Sequence, residues 1–174
     1  VLYSSASDSR WHECGHGTAF RTTWKNDLVY HVASFMIMRN PISWRWSHAR
    51  HHTDTIIVGR DPEIALMRPT AIAKTALLFI GVPGVFEDLQ VIIRHGAGRM
   101  SNAEKDYIPE SEQKKAAVWA RVHIVIYATT VLMATIMQSF LPVVLIGGPR
   151  IYGGWHAVMT GLLQHGGLAE DVLD

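Results

Sequence analysis

Four apolar stretches of unequal length set the framework of this chain. Leu28–Met38 has 11 residues broken only by His31 and Ser34, and Ala76–Phe86 has 11 interrupted by Pro83-Gly84. A helix needs about 20 apolar residues to cross a hydrocarbon core about 30 Å thick, so neither is a span. The first predicts a buried or interfacial helix stopped at Asn40-Pro41. The second, inside a helical region from Pro69 to Ile93, predicts a membrane-surface or re-entrant segment. Ile124–Ile146 differs in kind, because its 23 residues carry no charge. That predicts about 34 Å of helix, enough to span, with a buried core helix as the alternative. Ile151–Ala169 is also uncharged, and its small residues suit close packing in a bilayer. The tight turn Gly147-Gly148-Pro149-Arg150 would join the two as a transmembrane hairpin. The pattern predicts an all-α, integral-membrane fold.

The polar segments orient that hairpin. Thr53–Pro62 reads as a loop, and 94–115 as a charged connector. Arg94, Arg99, Lys105, Lys114, Lys115 and Arg121 precede the long stretch, whereas the turn holds only Arg150. Positive-inside bias puts the connector in the cytoplasm and the turn outside. The second span then returns His165 to the cytoplasmic side, an ionisable residue at membrane depth and so a candidate for function.

Composition narrows the classes. A length of 174 residues suits one domain, 1–174, and both ends read as cut, which predicts a piece of a longer protein. Lys+Arg of 16 against Asp+Glu of 15 gives no basis for a nucleic-acid or acidic partner. An apolar share of 48% fits a membrane protein with cytosolic parts, and the single cysteine, Cys14, excludes an internal disulfide framework.

Chemistry concentrates in histidine. Half of the 10 histidines sit in two sets: His12 and His16 at i and i+4, and His48, His51 and His52 at i, i+3 and i+4. Each set shares one face of a helix. His12-Glu13-Cys14-Gly15-His16 also satisfies H-E-x-x-H, the pattern of zinc peptidases in which the glutamate is the base. Yet one zinc takes about three protein ligands plus water. Five imidazoles, or six with His165, overfill it and fit two metals better. Imidazole suits Zn, Cu, Fe and Ni, and iron with open positions is the usual choice for activating O₂. Asp54, Asp61, Glu13 and Glu170 are candidate carboxylates to orient the rings, Asp54 foremost. His31, His95, His123 and His156 stand apart and read as structural. Trp44 and Trp46 line an apolar tunnel or mark the membrane interface, and Cys14 carries no assigned chemistry.

The H-x-x-x-H at 12–16, the H-x-x-H-H at 48–52, their flanks Trp44-Arg45-Trp46-Ser47 and Thr53-Asp54-Thr55, and the hydrophobic hairpin together resemble the membrane fatty acid desaturase superfamily. The resemblance implies a non-haem di-iron site, with O₂ as co-substrate and an electron donor such as cytochrome b5 or a ferredoxin. It implies His12, His16, His48, His51 and His52 as iron ligands, and His165, after Gln164, as the ligand supplied by the last transmembrane helix. Where that helix commonly carries an Asn in animal acyl-CoA desaturases, this chain has Gly161. The third H-x-x-H-H box of the superfamily does not occur in these residues. The function implied for the parent protein is desaturation of a fatty acyl chain in a membrane. A lipid hydroxylase of the same superfamily and a membrane zinc endopeptidase are the alternatives.

Overall fold

The computed structural model describes residues 10–64 and 71–165, and among these there are helices and turns but no strand. A short helix over residues 10–15 (α1) leads to α2 (Thr23–Met36) and α3 (Pro41–Thr53). Then come α4 (Ile72–Ile80), α5 (Val82–Gly96), α6 (Asn102–Tyr107) and the long α7 (Glu110–Ile136). Three short helices follow: α8 (Leu141–Ile146), α9 (Gly148–Tyr152) and α10 (Gly154–His165).

Local chemistry sets the breaks. α2 ends where Met38 turns left-handed (φ 56), returning the Arg39 N–H to the Ser34 carbonyl at 2.9 Å. Asn40 then caps α3, its Oδ1 accepting from the N–H groups of Ile42 and Ser43, with Pro41 in the first turn. The region read as one helix over Pro69–Ile93 breaks at Gly81 (φ 77) instead of at Pro83-Gly84, since Pro83 fits the first turn of α5. Gly81 meets two demands at once: a Cβ there would also lie 2.4 Å from the Ile151 carbonyl oxygen.

The membrane helix is displaced from its expected place. The 124–146 stretch is not one helix: α7 starts at Glu110, ends at Ile136, and shares only 124–136 with it. Pro142 explains the lower boundary, because its ring and missing N–H break a continuing helix. The chain turns at Gln138 (φ 47) and restarts as α8 with Pro142 in its first turn. Upstream, Glu110 and Glu112 favour the α7 N-terminus. Ala116, Ala120 and His123 form a buried stripe at helical spacing, against which α3 and α5 pack. The expected hairpin is thus one long helix followed by three short ones. Among the described residues α7 alone is long and apolar enough to cross a membrane, and only 22% of its apolar window is buried. A core helix of a soluble domain would bury most of that window.

Polar bonds tie the bundle together near the start of α3. Asn40 Nδ2 donates to the Ala116 carbonyl at 2.8 Å and lies 3.4 Å from His95 Nδ1. That makes Nδ1 the acceptor, so His95 donates from Nε2 to Glu104 Oε1 at 2.8 Å. Glu104 also accepts from Arg94 and from the backbone and hydroxyl of Ser101, closing a capping box on α6. His95, read from sequence as structural, is fully buried in that role.

Burial pushes the Glu104 carboxyl up, but the bonds from His95 and Ser101 outweigh it and hold it down at about 2. A depressed carboxylate stabilises fully above its ordinary value of 4.5, and the contribution is lost as pH falls towards about 2. Glu104→Gln is expected to lower stability by about 2 kcal/mol at pH 7. The gap to the parent should narrow below pH 4.5, as read by thermal unfolding in detergent.

Candidate metal centre

Packing of α1 on α3 builds the site. Trp11 lies 3.8 Å from the Trp44 ring and stacks on Tyr30 at 5.9 Å. With Cys14, Ala33 and Ile37 these rings form a buried cluster. Cys14 is buried there as a small apolar residue. Tyr30 also donates to the Pro41 carbonyl at 2.6 Å, tying α2 to the first turn of α3. The two histidine sets therefore face each other.

Four of the six expected ligands meet. Ligand nitrogens of His12, His16, His48 and His52 all lie within 4.8 Å of one another. The Nε2 atoms of His16, His48 and His52 form a near-equilateral triangle with sides of 3.2, 3.2 and 3.1 Å. At a metal–nitrogen distance of about 2.1 Å, neighbouring ligands sit about 3.0 Å apart in an octahedron and about 3.4 Å in a tetrahedron. The triangle falls between, so it fits one first-row metal ion without rearrangement. His12 completes the group, 4.8 Å from the His16 ring and 4.9 Å from that of His48.

Protonation favours metal binding too. His48 Nδ1 lies 2.9 Å from Glu63 Oε2, and Ser47 donates to Glu63 Oε1 at 2.6 Å. A carboxylate only accepts, so the His48 proton sits on Nδ1 and Nε2 presents a lone pair to the triangle. Burial pushes Glu63 up, but its bonds from His48 and Ser47 leave it below its ordinary value and ionised at neutral pH. Burial, followed by the neighbouring imidazoles, lowers both His16 and His52, which keeps them neutral. Each neutral Nε2 is either a donor or an acceptor, so the three edges of the triangle cannot all be hydrogen bonds at once.

His51 stands outside this group. It is buried, and its Nδ1 lies 2.9 Å from Asp61 Oδ2. Asp61 also accepts the backbone N–H groups of Ile56 and Glu63, both at 2.8 Å. Ile56 is held left-handed (φ 62), a strained setting for a β-branched residue, so the loop is bent to present Asp61. Asp54, ranked first among the orienting carboxylates, instead pairs with Arg50 at 3.0 Å and Arg60 at 3.1 Å. Glu13 does meet an imidazole, lying 3.1 Å from His12 Nδ1. Glu63 escaped the sequence reading, since no spacing rule links a residue beyond a loop to His48, 15 positions earlier. His165 is the last residue of α10, and its side chain lies outside the described set, as does Glu170.

A cavity of about 960 Å³ opens on the histidines and extends past Trp44 to α5, α9 and α10. A fatty acid desaturase family model matches residues 2–174. The chain belongs to the fatty acid desaturase family. It is similar to a Delta(12) fatty acid desaturase of Calendula officinalis, 29% identical over 85 residues, covering 49% of this chain and 22% of that protein. It is 34% identical to an sn-1 oleoyl-lipid 12-desaturase of Anabaena variabilis over 36% of this chain and 18% of that protein. An sn-1 acyl-lipid omega-3 desaturase (ferredoxin) of Nostoc sp. (strain 36) is 36% identical over 29% of this chain and 14% of its own length. Each match thus covers less than a quarter of the relative. No solved structure matches the chain significantly. Membership in this desaturase family leaves the zinc-peptidase alternative without support.

Removing the group that orients His48 should weaken the centre while leaving the ligands in place. Glu63→Ala is expected to lower metal affinity about 10- to 100-fold, measured by competition with a chromogenic chelator.

Proposed function

We propose that the whole protein desaturates a fatty acyl chain in a membrane, using O₂ and two non-haem irons. The observation that carries this reading is the imidazole triangle, ringed by carboxylates, in a chain of the desaturase family. His12, His16, His48 and His52 would hold one iron. His51, its proton fixed on Nδ1 by Asp61, would serve the second with His165 from the end of α10.

The bound irons would supply an oxidant able to take hydrogen from an unactivated CH₂. Overall, a –CH₂–CH₂– segment, O₂, two electrons and two protons give –CH=CH– and two waters. The electrons come from an external donor, and the likeness to the ferredoxin-type desaturase of Nostoc favours a ferredoxin over cytochrome b5. The work of this chain is positional. Glu63 and Asp61 keep the ring protons on the outer nitrogens, and Trp44 and Trp11 wall the cavity beside His48. The cavity volume of about 960 Å³ falls within the roughly 300–1,000 Å³ of ligand pockets. The exposed apolar side chains of α7, among them Val125, Val131, Leu132 and Ile136, suit a hydrocarbon surround. Charge bias in the segment before 124 favours histidines on the cytoplasmic side. On this reading 1–174 belongs to a single desaturase domain.

Metal analysis and product analysis of the whole protein test the proposal together. Near two irons per chain and conversion of a saturated acyl chain to an olefin are expected. His48→Ala and His52→Ala should abolish turnover while leaving helix content unchanged by circular dichroism. One zinc per chain, or full activity after either substitution, would overturn it.

A further inference from the structure

The cavity that opens on the histidines is also lined by Arg150 of α9. Its side chain is only 15% exposed. Nε donates to Asp88 Oδ2 on α5 at 2.7 Å, and the other Asp88 oxygen lies 4.0 Å from Arg39 Nε. Arg39 in turn lies over the Trp44 ring at 3.5 Å. One half-buried carboxylate therefore faces two cations. Among the described residues no protein group accepts from Nη1 or Nη2 of Arg150. Neither nitrogen is among the fully buried polar atoms without a partner, so both open to the cavity.

The backbone around this guanidinium is cut to fit it. A Cβ on Gly84 would stand 2.7 Å from Nη2, and one on Gly154 would stand 3.2 Å from Nη1. Any larger residue at either position would crowd the slot between α5 and the start of α10. Asp88 takes only the Nε edge, so the two-pronged end of the guanidinium stays available. That end matches two oxygens of a carboxylate or phosphate. Of the other acids lining the cavity, Glu87 is exposed, Glu63 is bonded to His48 and Ser47, and Glu104 to His95, Arg94 and Ser101.

We propose that Arg150, aimed by Asp88 and admitted by Gly84 and Gly154, is an anion-binding subsite for the carboxylate or phosphodiester head of an acyl lipid whose chain occupies the same cavity. The inference rests on the acyl-substrate reading above and adds the substrate class to it.

Competition against a fluorescent polyene fatty acid tests it, with the whole protein in lipid nanodiscs. The competitors are an 18-carbon fatty acid, the alcohol of the same length and the matching lysophosphatidylcholine. At least one of the two competitors that carry a carboxylate or a phosphodiester should bind about tenfold or more tightly than the alcohol. The preferred one tells a free carboxylate from a phospholipid head. Arg150→Gln should weaken that competitor about tenfold and leave the alcohol within about twofold. Arg150→Lys, which keeps the charge but loses the fork, should fall between. Equal binding of all three competitors to the parent would overturn the subsite while leaving the acyl reading intact. So would an equal loss for all three in Arg150→Gln, which would mark a structural arginine. If no acyl competitor binds the parent, both readings fall.

Discussion

The amide of Asn40 decides where the histidines stand. Its oxygen caps α3, and its nitrogen reaches the Ala116 carbonyl on α7 and the His95 ring on α5. One side chain therefore sets where the histidine-bearing helix begins and how it is rotated against two others. His95 passes the constraint to Glu104, which ends it in the capping box of α6. Because each member is buried and bonded, the chain of contacts has one satisfied arrangement, and slipping α3 by a residue would orphan several groups together. From that fixed start His48 and His52, eight and twelve residues on, emerge on the face turned to α1.

The imidazole cluster works against its own electrostatics. Lone pairs brought within 3.2 Å repel, and protonating the rings would replace that with repulsion between cations. Packing supplies the offset: the Trp11–Trp44–Tyr30 stack presses α1 against α3, and Glu63 and Asp61 hold the outer ring nitrogens. A cation at the centre would remove the conflict. The strained Ile56 backbone belongs to the same balance, since it lets one carboxylate, Asp61, gather three donors beside His51.

What spacing along a helix can determine was legible in the sequence. The i, i+4 intervals bring His12, His16, His48 and His52 together, and Asn40-Pro41 marks the start of α3. What depends on chain reversal was not. His51 shares a helix with His48 and His52 but turns to a loop carboxylate, and nothing local distinguishes Asp61 from Asp54, which two arginines claim. Glu63 reaches His48 only through the fold of the 54–64 loop. Hydropathy likewise found the apolar length of the long stretch but overran Pro142, because a window average does not register one missing N–H. The glycine break at Gly81 was hidden for a related reason: its need is set by Ile151, 70 residues away.

Helix α7 explains why a polar centre and an apolar surround coexist in so small a bundle. Its first half carries charges on one side and the Ala116–Ala120–His123 stripe on the other, and this half receives Asn40. From Ile124 onward it has no charge, and Val125, Val131, Leu132 and Ile136 are exposed. The change falls about 12 Å along the axis from Ala116, at 1.5 Å per residue. The histidine helix is thus docked at the polar end of the same rod whose other end is suited to lipid. Two separate elements would leave their relative height to loop geometry. A single continuous helix instead fixes the distance between the histidine-bearing end and the apolar end through its backbone hydrogen bonds, a constancy that the proposed reaction on a chain drawn from the bilayer would require.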